Sequence, residues 1–273
     1  MPELPEVETV CRTLRKRLRG ARILHVRVIE GRLRQPVAAD FAATVEGRTV
    51  EAVSRRGKYI VMDLEGGWSW VSHLGMSGKL TFRERDASVE KHDHLVFTLD
   101  DGAELRYHDP RRFGLCVVLP SRELDAWPPF ARLGPDPLER RFTGDYLYPL
   151  LHRSRRSVRD LLLDQQIVCG LGNIYINEVL FRIGIRPTRR SHRLSRVTTA
   201  ELVRETRALL REAIRWRGSS VSDYRDGNDR RGGFQWQLQV YDRKGAPCYG
   251  CGAAIKRIGL GNRGAFYCPR CQR

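Results

Sequence analysis

CYGCGAAIKRIGLGNRGAFYCPRC, residues 248–271, holds four of the chain's seven cysteines in the pattern Cys-x2-Cys-x16-Cys-x2-Cys. Two close pairs separated by a short loop can set four thiolates tetrahedrally around one ion, and the spacing is that of a zinc ribbon. Cys248, Cys251, Cys268 and Cys271 are therefore expected to hold one Zn2+. With four protein ligands no position is left open for chemistry, so the ion is structural. Two disulfides are the alternative, but a pair two residues apart is awkward to bridge and the compartment looks reducing. Cys11, Cys116 and Cys169, scattered upstream, read as core residues.

Working back from this hairpin, the hydropathy pattern changes period. Over Pro5 to Gly20 the apolar Val7, Val10, Cys11, Leu14 and Leu18 fall on one helical face, acids cluster at the start, bases at the end, and Gly20 stops the helix. From Arg22 to about Leu119 the period shortens to two. Strand-like runs at 22–28, 59–64, 68–73, 94–99 and 115–119 have the spacing of an antiparallel sandwich or barrel. Residues 127–137 carry four of the 13 prolines and read as a linker. Beyond it, Thr198-x-x-Glu201 reads as a capping box opening a helix with Leu202, Leu209, Ala213 and Trp216 on one side, ending near Gly218. Residues 218–233, rich in Gly, Ser, Asp and Arg, read as a mobile loop before a strand-like 237–241 and the cysteine hairpin. The expected class is α+β in two domains. An N-terminal β-sandwich with flanking helices takes 1–126, the linker 127–137, a helical domain 138–236 with its loop at 219–233, and a zinc-finger β-hairpin 237–273.

Charge narrows the partner. The net charge is +17, and residues 131–273 hold 28 basic against 13 acidic residues, while 1–130 hold 21 against 19. A one-sided positive field of that size attracts phosphate backbones; an anionic membrane surface or an acidic protein partner stands behind that reading. The 41% hydrophobic content over 273 residues excludes disorder of the whole chain. No apolar run approaches the ~18 residues of a membrane span, and the first eight residues are acidic where a signal peptide is basic. The expectation is a soluble, cytoplasmic chain. Only six basic residues are lysines against 43 arginines. Such an Arg excess follows from a GC-rich genome, but it makes each lysine informative, because Arg cannot release its proton.

The opening Met1-Pro2-Glu3-Leu4-Pro5-Glu6 places a proline where removal of Met1 exposes a secondary amine. Such an amine titrates near pH 8 and can attack an aldehyde-like carbon without a buried lysine. The plainer reading is a helix start, with proline in the first turn and acids complementing the dipole.

These residues resemble a family. PELPEVET at 2–9, Lys58 in RRGKYIV, HLGMSG at 73–78, KHDH at 91–94, DPRRFG at 109–114, GLGNIYINE at 170–178, QVYDR at 239–243 and the four-cysteine terminus resemble the formamidopyrimidine-DNA glycosylases, in the right order from residue 2 to residue 271. The resemblance implies a base-excision repair enzyme that removes 8-oxoguanine and formamidopyrimidines from duplex DNA and then cuts the strand. It implies a helix-two-turn-helix in the second domain, DNA in the cleft between domains, and a monomer.

Residue by residue, the resemblance makes Pro2 the Schiff-base nucleophile, Glu3 the proton donor that opens the sugar and Glu6 its supporting carboxylate. Lys58 matches the lysine tied to β-elimination. Arg263 matches the residue linked to δ-elimination, where a group with a pKa above ~12 is better suited to orienting the leaving phosphate than to donating a proton. Met76, Arg111 and Phe113 match the residues that fill the gap left by an extruded nucleotide. Asn173 fits the turn that grips phosphates, and His92 a DNA contact. Arg153, Arg155 and Arg156 stand in the place of a Lys-rich DNA-binding segment. His73 is either a phosphate contact or satisfied by its neighbours. The 219–233 loop occupies the place of a lid over the flipped purine, and its residues are not family-like. The endonuclease VIII branch, which prefers oxidised pyrimidines, is the nearest rival. Leu4 and the Arg111-x-Phe113 arrangement point to the purine branch. A damage-binding protein without catalysis is the rival from another class, opposed by intact Pro2, Glu3 and Lys58.

Overall fold

The computed structural model describes residues 1–85, 87–221 and 223–273. The chain forms two compact units, 1–131 with 216–235, and 132–215 with 236–273. The expected partition differs in two places. The proline-rich 127–137 is divided, its first half packing Trp127 and Phe130 edge-on against Tyr59 at 5.8 and 5.2 Å, so the boundary falls at 131/132. The 219–233 loop groups with the first unit rather than with the helical one, and the cysteine hairpin joins the helical unit.

In the first unit α1 (Leu4–Leu18) is followed by β1 (Ile23–Val28), the short α2 (Phe41–Val45), β2 (Val50–Arg56), β3 (Tyr59–Leu64), β4 (Trp68–His73), β5 (Lys79–Arg83), β6 (Asp93–Leu99), β7 (Glu104–His108), β8 (Leu115–Pro120) and α3 (Pro128–Ala131). The strands make two antiparallel sheets, ordered β1-β6-β7-β5 and β2-β3-β4-β8. Their inner faces meet where Trp70 of β4 stacks on Phe97 of β6 at 4.1 Å, with Phe41 edge-on to both. The expected face of α1, Val7, Val10, Cys11, Leu14 and Leu18, is buried in this same core. Burying side chains of this size contributes about 1.5–3 kcal/mol each. Gly20, at φ +84, terminates the helix in the left-handed region.

Three strands, β2, β5 and β7, fall outside the runs that alternation marks. In β7 Leu105 and Tyr107 enter the core, and the polar residues between them are buried as well, on the opposite face, as a charge pair. Arg106, 2% exposed, lies 2.7 Å from Glu104 and 3.3 Å from Asp93, and donates to the Ser88 carbonyl at 2.7 Å. Cys11, Cys116 and Cys169 are buried, and burial pushes the first two thiols up to about 12.

In the second unit α4 (Gly144–His152), α5 (Val158–Leu162), α6 (Asn173–Arg182) and α7 (Arg196–Arg215) precede the antiparallel hairpin of β9 (Lys256–Leu260) and β10 (Arg263–Tyr267). α7 starts earlier than the expected capping box. Ser195, not Thr198, caps it, its Oγ accepting the Thr198 N–H at 3.1 Å. Trp216, expected on the apolar face, lies beyond the helix and is half-exposed. The expected strand at 237–241 is absent. The N–H groups of Gln239, Val240 and Tyr241 go to the Glu178 carboxylate at 2.8, 2.9 and 2.8 Å, replacing a strand partner. Burial pushes the Glu178 pKa up while those three donors pull it down, the burial effect prevailing.

Candidate active site and nucleic-acid interface

In the first unit, the start of α1 is held inside the protein. Pro2 is buried, and Glu3, Glu6 and Lys58 are 3%, 1% and 6% exposed. Glu3 is the N-cap, and its N–H is taken by Glu6 Oε2 at 2.8 Å; the other oxygen, Oε1, accepts the Ser219 N–H at 2.7 Å. Lys58 follows Gly57, at φ +58, in the turn between β2 and β3. A buried, hydrogen-bonded start of this kind restricts the positions open to the chain at residue 2.

His73 is buried, with Nδ1 accepting the Gly75 N–H at 2.9 Å and its ring edge-on to Tyr59 at 4.8 Å. Burial, then Lys58, Arg34 and the chain's amino terminus, hold its pKa down to about 3. The ring is therefore neutral, with its proton on Nε2, and its Nδ1 is committed to the loop that follows.

That loop and the DPRRFG loop are bound to each other by Asp109. Its Oδ1 accepts from Ser77 Oγ at 2.6 Å and its Oδ2 from the Gly114 N–H at 2.8 Å. Gly75, at φ +57, lies so close that a Cβ there would stand 2.5 Å from the Phe113 carbonyl carbon. The result is an exposed trio. Met76 and Phe113 are 43% and 48% exposed, and the Arg111 guanidinium lies 4.7 Å above the Phe113 ring. Two large apolar side chains held out in water cost free energy unless something covers them. His92 lies 5.9 Å from the His108 ring, on the segment before β6.

The 218–233 segment, expected to be mobile, is pinned at several points. Besides Ser219 on Glu6, Tyr224 Oη donates to the Glu6 carbonyl at 3.2 Å, the Ser220 N–H goes to Gln235 Oε1 at 2.9 Å, and the Phe82 N–H goes to the Gly227 carbonyl at 2.9 Å. Arg217 is paired with Asp226. Ser222 of this loop lies outside the described residues.

In the second unit, Asn173 opens α6 directly after the turn of the GLGN segment. Its side chain is already engaged. Oδ1 accepts from Arg159 Nη2 at 2.7 Å and Nδ2 donates to the Gly264 carbonyl of β10 at 3.0 Å. Arg159, fully buried, also donates to Asp160 Oδ1 at 3.0 Å. Burial lowers its pKa, with Arg263 acting in the same direction. The turn and the hairpin carrying Arg263 are thus joined through one guanidinium. Arg263 itself is exposed at the start of β10, paired across to Leu260. Arg153 and Arg155 are solvent-accessible, whereas Arg156 is tied to Asp164 at 2.9 Å.

The four hairpin cysteines place their sulfurs within 4.8 Å of one another, with Cys248 to Cys271 at 3.9 Å and Cys251 to Cys268 at 3.4 Å. A tetrahedral ion with Zn–S of about 2.3 Å needs sulfurs roughly 3.8 Å apart, so the set fits one structural Zn2+. Without a cation the crowded thiols hold one another's protons, the Cys271 pKa being pushed up to about 12 by hydrogen bonds from Cys251 and its neighbours; a divalent ion reverses that sign. Glu90, Asp93 and His108 also lie close together. There Arg106, 3.3 Å from Asp93, already supplies the positive charge, and both Asp93 oxygens are engaged.

Sequence reading missed Asp109, Arg159, Glu178 and the Ser219 amide. Asp109 and Glu178 stand inside quoted motifs, and Arg159 is an arginine inside an apolar helical turn. The Ser219 contact spans 213 residues and leaves no local signal.

Comparison with known proteins agrees along the whole chain. The formamidopyrimidine-DNA glycosylase N-terminal domain matches residues 1–116, the H2TH domain of the same enzymes 133–225, and a zinc finger found in FPG and IleRS 245–273. The formamidopyrimidine-DNA glycosylases of Methylococcus capsulatus and Gluconobacter oxydans are 42% and 44% identical, each over 100% of both chains. Among solved structures, a Lactococcus lactis enzyme mutant in complex with a Fapy-dG containing DNA superposes with TM-score 0.93 at 34% identity over 100% of both chains. The Thermus thermophilus protein does so with 0.89 at 37%, over 99% of this chain and 98% of that one. Fold and site define a zinc-finger DNA glycosylase of base-excision repair. The chain belongs to the formamidopyrimidine-DNA glycosylase family.

Proposed function

We propose that this chain removes 8-oxoguanine and formamidopyrimidines from duplex DNA and cleaves the strand through a Schiff base on Pro2. The observation that carries the reading is the pinned start of α1, where Glu6 holds the Glu3 N–H at 2.8 Å and Pro2 is buried beside them. Once Met1 is removed, the Pro2 nitrogen lone pair attacks C1′ and the bond from C1′ to the base breaks, the base leaving with a proton. Glu3 protonates the sugar ring oxygen, opening the ring to an iminium, and Glu6 supports that carboxyl. The iminium draws electron density from C2′, so loss of the C2′ proton expels the 3′-phosphate, with Lys58 assisting. A second elimination expels the 5′-phosphate, which Arg263 orients.

Extrusion of the nucleotide leaves a gap, and Met76, Arg111 and Phe113 are suited to fill it: two apolar side chains and one donor for the orphaned base. His92, His73, Arg153, Arg155 and Asn173 serve backbone contacts, and the 219–233 loop covers the extruded purine. The protein works as a monomer in the cytoplasm, on double-stranded DNA. No helix among the described residues is long and apolar enough to cross a membrane.

Borohydride trapping on a duplex with 8-oxoguanine opposite cytosine, beside a duplex with an abasic site, tests this. A covalent adduct on both, mapped to Pro2 by mass spectrometry, is expected. An adduct on the abasic duplex alone moves the base preference elsewhere, and none on either, with Met1 removed, overturns the reading.

A further inference from the structure

Two stretches of the second unit carry bases and no acids. Residues 146–159 hold four arginines and a histidine, and residues 183–200 five arginines and a histidine, without one Asp or Glu. The fold stitches them together. Ser157 and Arg190 form an antiparallel bridge, the Val158 N–H goes to the Arg189 carbonyl at 2.8 Å, the Ser191 N–H to the Arg156 carbonyl at 3.0 Å, and Ser191 Oγ to the Ser154 carbonyl at 2.7 Å. Between them opens a concavity of about 600 Å³ lined by His152, Arg153, Arg155, Arg190, His192 and Arg193, with no carboxylate in its wall.

Like charges do not gather in this way without cost, and several guanidinium groups of this unit are paired. Arg156 binds Asp164, Arg182 binds Glu212 and Arg207 caps three carbonyls. In the concavity several uncommitted cationic side chains stand together. The side chains of Arg153, Arg155, His192 and Arg193 make no hydrogen bond or ion pair among the described residues; Arg190 makes one, to the Arg155 carbonyl at 2.8 Å. The Nδ1 of His192 is buried with no partner among them. Fork-shaped donors left uncommitted around a wet, acid-free hollow match the oxygens of a phosphodiester, which accepts several N–H groups at once and brings the missing negative charge.

We propose that this concavity is a binding site for a DNA backbone phosphate, extending the Arg153–Arg155 segment with Arg190, His192 and Arg193. The inference rests on the reading that the chain acts on duplex DNA. Its contribution is independent of base identity and of the lesion, so it adds affinity for any duplex and screens with salt.

The test uses the zinc-loaded full chain and a 30-bp undamaged duplex, with binding followed by fluorescence anisotropy across a salt titration. Arg190→Gln with Arg193→Gln is expected to flatten the slope of log affinity against log salt by about one per lost contact, so by about two, and to weaken binding at low salt by about tenfold. Melting temperature and zinc content stay at wild-type values. Should the double variant melt lower, Arg193→Gln alone is read, because that side chain makes no hydrogen bond or ion pair among the described residues; its slope falls by about one, and Arg193→Lys restores it. A wild-type salt slope in variants that melt as wild type overturns the proposal. So does calorimetric binding of tripolyphosphate that is lost in the variants while the DNA slope is unchanged, since the hollow then takes free phosphates. If the slope changes as expected but the wild type excises no oxidised purine, the functional reading fails and this site stands.

Discussion

Glu6 Oε1 accepts the backbone N–H of Ser219 at 2.7 Å, while its other oxygen accepts the N–H of Glu3 at 2.8 Å. One buried carboxylate therefore fixes both the residue next to Pro2 and the start of the loop proposed to cover the base. Its geometry couples the start of α1, where Pro2 stands, to the loop's position. A glutamine at this position offers one carbonyl oxygen and one NH2 donor, so one of the two N–H groups faces another donor. A buried N–H without an acceptor costs about 1–3 kcal/mol. Glu6→Gln is expected to lower the urea unfolding free energy by that amount and to slow borohydride-trapped adduct formation. An unchanged urea midpoint and trapping rate would sink this account of Glu6.

His73 makes the first unit acid-sensitive. Its pKa is about 3 in the folded state, chiefly through burial, against an unfolded value of 6.5. Between those values the unfolded chain binds the proton and the folded chain does not, so the contribution of this group is intact above pH 6.5. It is lost as pH falls toward 3, by up to about 1.4 kcal/mol per pH unit. His73→Gln, which keeps an acceptor for Gly75 without a proton to take up, should flatten the decline of thermal stability between pH 6.5 and 4. An equally steep decline in that variant would assign the acid sensitivity to other groups.

What could be read from the chain beforehand follows a physical line. α1 was legible because one apolar stripe, a proline in the first turn and Gly20 all agree, and β3 and β4 because each is a short run rich in β-branched and aromatic residues. β7 alternates Glu104 and Arg106 with Leu105 and Tyr107 like a half-exposed strand, whereas the charge pair is neutralised indoors and the strand is buried on both faces. The 237–241 segment looked like a strand because its N–H groups do need acceptors; the acceptor is the Glu178 carboxylate, supplied by α6, rather than a neighbouring strand. At the site, residue types that chemistry requires stood out, while those that only position others, Asp109 and Arg159, did not. Their partners are set by the tertiary fold.

Arg159 joins the helix-opening Asn173 to the hairpin at Gly264, with Nη2 to Asn173 Oδ1 at 2.7 Å. Arg159→Met keeps the apolar stem and removes every donor. Hydrogen bonds from a charged group contribute about 1.5–3 kcal/mol each, and the half-buried Asn173 oxygen is left with Asn177 as its donor among the described residues. The expected loss of stability is about 2–3 kcal/mol by denaturant unfolding. Amide exchange should quicken in β10 before it does in α7. Uniform exchange across both would mean that Arg159 is only a packing residue.

Zinc should be inseparable from the hairpin's fold. The hairpin segment buries little: Phe266 of β10, with Ile255 and Val240 from outside the strands, forms a small cluster with Cys248 and Cys268, too few apolar groups to order a segment of this length alone. Four thiols whose sulfurs are already within 4.8 Å lose most of the ordering cost when one ion binds them, and structural Zn2+ supplies on the order of 10 kcal/mol in such sites. Cys268→Ser replaces the fully buried ligand with a hydroxyl, a poor zinc donor. Elemental analysis is expected to fall from one zinc per chain toward zero, the hairpin to lose its amide protection, and duplex affinity to drop, while the first unit keeps its own unfolding transition. Chelator treatment of the wild type should reproduce each change, and zinc should reverse it. One zinc retained per chain in Cys268→Ser would break the four-thiolate assignment.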